Sequence, residues 1–279
     1  MAWLLGEKKA AELRTKARET RKTVLRMIAE AGSGHPGGSL SCVEIMLVLF
    51  ERMRLDPRKP KWEERDRFVL SKGHAAPTLY ACLADKGFFP KEELRTLRKL
   101  GSRLQGHPET STPGVEVPTG SLGHGLSMAN GMAIAGKLDK ARWRVYALLG
   151  DGECDEGQVW EAAATAAHYK LDNLTAIVDR NMVQLDGPTE EIKALGDIAA
   201  KFKAFGWNAA SVDGHDVEKI AEALEWAERQ EGKPTVIVAC TVKGKGVCFA
   251  EGKAAYHGKP IVGAELEQAL IELEGAGND

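Results

Sequence analysis

The second half of the chain alternates short apolar runs with segments of helical periodicity. The apolar runs predict strands at residues 144–149, 174–178, 207–212 and 235–241. The segments between them predict helices over 157–169 and 217–231 and a helix that closes at 202–205. Strands that are apolar throughout must bury both faces, so such an alternation is typical of a parallel sheet covered by helices on both faces. We therefore predict an α/β fold.

The first half of the chain adds helices and one strand around glycine-rich loops. The predicted elements are a helix over 7–31 that stops at Gly32, a Gly/Ser/His loop over 32–39, a helix over 42–50 and a strand over 67–71. Residues 101–125 lack a clear period, and a stretch of that kind inside a compact domain is usually functional. Because no convincing linker or repeat interrupts residues 1–279, we interpret them as a single domain.

Composition argues against several classes of function. The net charge of −2 comes from mixed acidic and basic residues, which is unlike the one-sided basic surface of a nucleic-acid-binding protein. The longest nearly apolar stretch, 42–50, is too short to cross a membrane, and the first residues lack the features of a signal peptide. The five cysteines form no C-x-x-C motif, as expected for free thiols in a reducing compartment. We therefore expect a cytoplasmic protein that binds neither nucleic acid nor membrane.

The sharpest signal for chemistry is LLGDGECDEG at 148–157, which begins at the end of a predicted strand. Gly150 and Gly152 flank Asp151, and glycines allow the backbone to turn sharply and to approach a ligand closely. The helix that follows would direct its first amides and the positive end of its dipole to the same place. Asp151 therefore lies where a hard cation and a phosphate could meet.

A second polar segment, TAIVDRNMVQLDG at 175–187, follows the next predicted strand and contains Asn181, thirty residues after Asp151. One strand–helix–strand unit has about this length, so the two side chains should lie side by side at one sheet edge. A carboxylate, an amide oxygen and a nearby carbonyl such as that of Val183 are hard ligands that suit Mg²⁺, or Ca²⁺ or Mn²⁺ in its place. The alternative is a structural turn, because GDG alone also marks simple turns.

GDG followed after about thirty residues by Asn resembles the metal–diphosphate motif of thiamine-diphosphate enzymes. Further segments resemble the transketolase family, in the same order and over essentially the whole chain: SGHPGGSL at 33–40, LSKGHAAPTLY at 70–80, GHPE at 106–109, GVEVPTGSLGHGLSMANGMAIA at 114–135 and YHGK at 256–259. A fused transketolase is about twice as long, so this chain resembles only its first half. The resemblance implies the diphosphate-binding (PP-type) thiamine-diphosphate fold.

The resemblance also assigns roles to matching positions. It implies Mg²⁺ ligands at Asp151, Asn181 and the Val183 carbonyl. It implies contacts to thiamine diphosphate from His74, Gly120, Ser121, Leu122, Gly152, Asn181 and His257. It implies proton transfer or hydroxyl recognition on the sugar by His35, His107 and His257. It implies carboxylates at an interface between chains, near the aminopyrimidine, at Glu156 and Glu161.

A histidine in a loop is more often a solvated or hydrogen-bonded residue than a catalyst. His35, His74, His107 and His257 nevertheless lie beside glycine or proline in loop-like stretches, where packing does not require them. His124 replaces a glutamine common in fused transketolases and either contacts the site or supports its loop. Among the remaining candidates, His168 and His215 are interpreted as structural and the Cys154 thiol as incidental. Lys243 and Lys245 in KGKG could meet phosphate, although a solvated turn is favoured.

The resemblance implies a transferase that moves a two-carbon ketol unit from a ketose phosphate to an aldose phosphate in the pentose phosphate pathway, with thiamine diphosphate and Mg²⁺. In the family, the glutamate that activates the aminopyrimidine and the basic residues that hold the sugar phosphate lie in the half that follows. We therefore expect a split enzyme, with a carboxyl-terminal partner subunit carrying the pyrimidine-binding and C-terminal domains, in an α2β2 heterotetramer. The sequence does not specify the sugar.

Other functions remain open at this point. Deoxyxylulose-phosphate synthase shares the GDG segment and a DGHD-like segment at 213–216, but GHPGG and SKGHAAPTLY fit transketolase better. The alpha chain of a 2-oxo acid dehydrogenase matches only in the metal motif. A non-catalytic regulatory subunit could keep the same fold, although the intact candidate site argues against it. A dinucleotide-binding protein is disfavoured because no G-x-G-x-x-G follows a strand.

Overall fold

The computed structural model describes residues 5–275, which contain one five-stranded parallel sheet. The strands are β1 (Arg67–Leu70), β2 (Val145–Gly150), β3 (Leu174–Arg180), β4 (Asn208–Asp213) and β5 (Thr235–Cys240). They lie in the order β1-β2-β3-β5-β4, and every neighbouring pair is parallel. The predicted fold class is confirmed.

Helices connect and cover these strands. They are α1 (Glu7–Ala31), α2 (Pro36–Leu40), α3 (Val43–Arg52), α4 (Ala76–Asp85), α5 (Gly125–Leu138), α6 (Gly157–His168), α7 (Thr189–Ile192), α8 (Ile198–Ala204), α9 (Val217–Glu228) and α10 (Ala264–Gly275). Short 3₁₀ turns lie at Gly73–Ala75, Lys91–Thr96, Gly152–Asp155 and Ala254–Tyr256. Within residues 5–275, no helix combines the length and apolar character that a membrane span requires.

Two apolar cores lie on opposite faces of the sheet. In β2, Tyr146 and Leu148 pack into one core, whereas Val145, Ala147 and Leu149 pack into the other, as alternation along a strand requires. The first core is completed by α1, α3, α4, α9 and α10, and the second by α5, α6 and α8. Burying each large aliphatic side chain contributes about 1.5–3 kcal/mol, so both faces stabilise the sheet. The predicted helices on both faces are confirmed.

Most elements predicted from periodicity are present within one or two residues. α1 has the predicted bounds, and it ends at Gly32, whose φ of 61° is left-handed and whose amide donates to the Ala29 carbonyl. A left-handed residue with a side chain would cost about 1–2 kcal/mol, which explains glycine at this cap.

Other elements differ from the predictions. The predicted loop over 32–39 contains α2, which begins at Pro36. The glycines of this segment are poor helix formers, so the sequence did not indicate a helix there. Glycine is required at position 37, because a Cβ there would lie only 2.9 Å from the Tyr256 carbonyl oxygen. α4, α5, α7 and α10 were not predicted. β4 is not apolar throughout, because it is an edge strand paired only with β5, and its side chains are half-buried or exposed.

The register of the central strands positions the site. β2 and β3 are paired up to Gly150 and Asp179, so the residues that follow each strand emerge next to one another. In open parallel sheets, ligands bind beyond the carboxyl ends of the strands.

Candidate active site

Asp151 is a buried carboxylate held between the two strand ends. Its Oδ1 accepts a hydrogen bond from the Gly152 amide at 2.8 Å, and its Oδ2 accepts one from the Met182 amide at 2.7 Å. The side chain is only 2% exposed, and burial together with the nearby Asp179 carboxylate raises its pKa. Within residues 5–275 it forms no ion pair with a basic side chain. A buried carboxylate of this kind is costly unless a cation compensates it.

Asn181 and Val183, the other two predicted metal ligands, lie on the loop that follows β3. Asn181 is buried, its Oδ1 accepts from the Val183 amide at 3.2 Å, and its Nδ2 donates to Asp179 Oδ2 at 3.3 Å. With Asp151, they line one cleft. The structure therefore brings the three predicted ligands together, in a mixed oxygen set suited to a hard cation. In the described part of the chain, no cluster of three or more His, Cys, Asp or Glu could hold a metal.

A buried ion pair lies beneath this loop. The Lys72 ammonium donates to the Asp179 carboxylate and, at 2.7 Å, to the Gly38 carbonyl oxygen. Asp179 also accepts from the hydroxyls of Ser41 and Thr241. Burial alone would raise the pKa of Asp179, but the Lys72 charge and these donors hold it below its ordinary value. The ionised carboxylate thus fixes the amide of Asn181, an arrangement that the sequence did not reveal.

Four of the predicted histidines form one cluster. The ring centroid of His35 lies 5.5 Å from those of His74 and His257 and 6.2 Å from that of His107, and the rings of His74 and His257 are 5.2 Å apart. Burial and neighbouring cations lower all four pKa values, to about 4 for His35 and about 3 for His257. The cluster is therefore neutral at neutral pH in this state, and its imidazoles can donate or accept hydrogen bonds.

Lys243 is part of the site, so its interpretation as a solvated turn residue is wrong. It is 2% exposed, and its Nζ donates to the Val183 carbonyl oxygen at 2.7 Å and contacts His257 Nδ1 at 2.8 Å. Burial and the Lys72 charge lower its pKa to about 8. Lys245, two residues later, is half-exposed and lies 3.7 Å from Glu251, as expected for a turn.

The predicted cofactor loop approaches from the β1 side. Gly120 has a φ of 132°, and a Cβ there would lie 2.8 Å from the His107 ring, so only glycine fits. Ser121 is exposed, and Leu122 lines the same cleft as Asp151.

Glu153 was missed by sequence reasoning, although it lies inside the GDG segment. Its Oε1 accepts from the Ser71 hydroxyl and, at 3.0 Å, from the Gly123 amide, and its Oε2 accepts from the Gly150 amide at 3.0 Å. This buried carboxylate joins the cofactor loop to the ends of β1 and β2.

The remaining candidates lie outside the cleft. Glu156 and Glu161 are exposed at the start of α6, where a further chain could contact them. His124 is exposed beside the first residue of α5. The other three agree with structural or incidental roles: Cys154 is buried against the Gly150 carbonyl, His168 is exposed, and His215 bonds to Glu44 and to the Val242 amide.

Residues 14–275 match the family model described as "Transketolase, thiamine diphosphate binding domain". The chain belongs to the transketolase family. It is 47% identical, over 95% of its length and 98% of the relative's, to the 6-deoxy-6-sulfo-D-fructose transketolase subunit SqwG of Clostridium sp. (strain MSTE9). It is 43% identical, over 94% of its length and 93% of the relative's, to one of the subunits of the apulose-4-phosphate transketolase of Phocaeicola vulgatus.

Solved transketolases share the fold. A crystal structure of a transketolase mutant from Pichia stipitis superimposes with a TM-score of 0.88 at 36% identity, over 94% of this chain and 40% of that chain. The present chain therefore spans less than half the length of that enzyme.

These relationships confirm the predicted family, the enzyme class of a transferase and the predicted function of an amino-terminal transketolase subunit. They also bear out thiamine diphosphate as the cofactor of this domain. The metal, the α2β2 assembly, the sugar phosphates, the pathway and the individual residue roles stay predictions.

Proposed function

We propose that this chain binds thiamine diphosphate and Mg²⁺ and, with a carboxyl-terminal partner subunit, transfers a two-carbon ketol unit from a ketose phosphate to an aldose phosphate. The observation that carries the proposal is the convergence of one buried carboxylate, one amide, one carbonyl and one buried ammonium on a single cleft. These groups are Asp151, Asn181, Val183 and Lys243.

Mg²⁺ would be held by the Asp151 carboxylate, the Asn181 amide oxygen and the Val183 carbonyl, with Ca²⁺ or Mn²⁺ as substitutes. The site fits this ion because Asp151 is buried without a basic partner among residues 5–275 and its only close donors are amides and a hydroxyl. Hard divalent ions prefer such oxygen ligands, completed by water and phosphate oxygens. The cation would offset the desolvation that raises the pKa of Asp151.

The diphosphate of the cofactor would contact Lys243, His74, His257 and the Gly152 amide. Gly120, Ser121 and Leu122 would border the cofactor, with Leu122 near the thiazolium. When bound, thiamine diphosphate supplies the carbanion chemistry that breaks and forms the carbon–carbon bond. Lys243 would exchange the Val183 carbonyl for a phosphate oxygen, because both are acceptors and the phosphate carries more charge.

His35, His107 and His257 would hold and move the hydroxyl protons of the sugar, as general acid–base catalysis requires. Burial and the neighbouring charges of Arg98 and Lys243 lower the pKa values of these histidines. A bound diphosphate would raise these pKa values towards neutrality, because a nearby negative charge favours the protonated imidazole. Neutral imidazoles at rest can therefore become competent proton carriers after cofactor binding.

The partner would complete the site over the exposed end of α6, where Glu156 and Glu161 present their carboxylates. A paired α2β2 assembly is the expected arrangement. The five cysteines are all free in the structure, which supports our proposal of a reducing, cytoplasmic location.

The function is tested by mixing this chain with its carboxyl-terminal partner, thiamine diphosphate, Mg²⁺ and defined sugars. We expect ketol transfer from xylulose 5-phosphate to ribose 5-phosphate or from one of two further donors. These are 6-deoxy-6-sulfo-D-fructose and apulose 4-phosphate, which appear in the names of the two relatives. Condensation of pyruvate with glyceraldehyde 3-phosphate would instead identify a deoxyxylulose-phosphate synthase. Cofactor binding without turnover of any of these donors would favour a non-catalytic subunit.

Lys243→Met should weaken thiamine diphosphate binding to the complex by roughly tenfold to a hundredfold, since a hydrogen bond to a charged group contributes about 1.5–3 kcal/mol. Calorimetric titration at saturating Mg²⁺ measures this loss. Lys245→Met is the matched control, because it removes the same charge from the same loop but outside the cleft. Equal affinities for the two variants would contradict a role for Lys243 in binding the diphosphate.

A further inference from the structure

Arg98 adopts an unusual backbone conformation beside the histidine cluster. Its φ of 59° is left-handed, and its amide donates to the Leu104 carbonyl at 2.8 Å. This conformation costs a residue with a side chain about 1–2 kcal/mol, and such strain persists only where the surroundings enforce it. The strained turn directs the side chain back towards the loops that carry His35 and His107.

The guanidinium of Arg98 joins these two loops. Its Nη1 donates to the Ser33 hydroxyl at 3.1 Å, two residues before His35. Its Cζ and Nη2 lie against Gly106, next to His107, where an added Cβ would come within 2.6 Å of both atoms. Glycine at 106 therefore provides the space that the guanidinium occupies.

Arg98 has no acidic partner among the residues that the structure describes. The side chain is half-buried, and no carboxylate of residues 5–275 lies within ion-pair distance of it. Its one side-chain hydrogen bond within that range is to the neutral Ser33 hydroxyl. An arginine that served only to stabilise the fold would ordinarily pair with a carboxylate when it is removed from water.

We propose that Arg98 is a positioning residue for sugar recognition, which clamps the Ser33–His35 loop to the Gly106–His107 loop and so sets the spacing of the two histidines. The inference rests on the proposed function, since it takes both histidines to face the sugar.

The charge of Arg98 also acts on both imidazoles. After burial, it is the largest influence that lowers the pKa of His35 and of His107. The other charged or titratable groups facing His35 are His107 and Lys243, with the rings of His74 and His257 in contact. Glu109 acts on His107 in the opposite direction. Removing the guanidinium charge should therefore raise both pKa values, so the histidines would begin to protonate at a higher pH.

The test is nuclear magnetic resonance of the imidazoles in the full chain, which needs neither partner nor cofactor. Arg98→Gln should raise the titration midpoints of His35 and His107 by about half a unit to one unit. Arg95→Gln is the control, since it removes the same charge from an exposed position three residues away. Unmoved midpoints for His35 and His107 in a folded Arg98→Gln chain would overturn the inference.

Two further variants separate the clamp from the charge. Arg98→Lys keeps the charge but loses the planar fork, and Gly106→Ala keeps the arginine but pushes its guanidinium away. In the reconstituted complex, both should raise KM for the ketose donor about tenfold while thiamine diphosphate affinity stays unchanged. A wild-type KM in both variants would refute the clamp.

The inference about Arg98 and the proposed function can be refuted independently of each other. If the complex transfers no ketol unit, the proposed function fails, whereas the shifted histidine midpoints would still support the action of Arg98 on His35 and His107.

Discussion

Replacing Asp151 by Asn is expected to abolish Mg²⁺-dependent binding of thiamine diphosphate to the reconstituted complex. The substitution removes the one charged ligand of the proposed metal site, and Mg²⁺ releases its water only for strong oxygen donors. We expect an affinity loss of at least about a thousandfold, because the metal links the protein to the diphosphate and both contacts fail together. Calorimetric titration of the complex with cofactor, with and without Mg²⁺, measures this loss.

Thermal unfolding provides an independent measurement of the same effect. Thiamine diphosphate at a hundred times its Kd should stabilise the wild-type complex by about 2.7 kcal/mol, and the Asp151→Asn complex should gain no such increment. Asp155→Asn is the matched control, because it removes the same charge four residues later from a half-exposed position outside the proposed ligand set. Mg²⁺-dependent affinity that survives in the Asp151 variant would refute the metal assignment.

The second large effect concerns the partner. The 279-residue chain by itself should show no transketolase turnover, and adding the carboxyl-terminal partner should restore it from background to the full rate. The reason is chemical: this chain supplies the candidate groups for metal and diphosphate, whereas the glutamate that activates the aminopyrimidine is expected on the partner. The Clostridium relative, which has nearly the same length, is itself named a transketolase subunit.

A coupled assay of aldose release measures this dependence over a titration of partner against chain. Asp151→Asn chain mixed with the same partner is the control, since activity in that mixture would come from a contaminating enzyme. Turnover by the purified chain at a rate comparable to the complex would contradict the split enzyme.

Much of the framework could be predicted from local patterns. Apolar runs separated by helical periodicity define a parallel sheet because the pattern itself determines which faces must be buried. The spacing from Asp151 to Asn181 then follows from the length of one strand–helix–strand unit, and the structure brings the two together through the Met182 amide. Neighbouring glycine or proline marked His35, His74, His107 and His257 as functional candidates, but only the structure shows that their rings form one cluster.

The sequence by itself therefore determined the fold class, the family and the neighbouring strand ends that carry Asp151 and Asn181, because each depends on short-range spacing. Only the tertiary structure decided the environments of Lys72, Glu153, Lys243 and Arg98. A lysine in a glycine-rich turn is solvated unless distant segments of the chain cover it. Lys243, which begins the KGKG segment, is covered in this way by Val183 and His257. Burial, pairing and pKa are set by residues far apart in the chain, so no local pattern contains them.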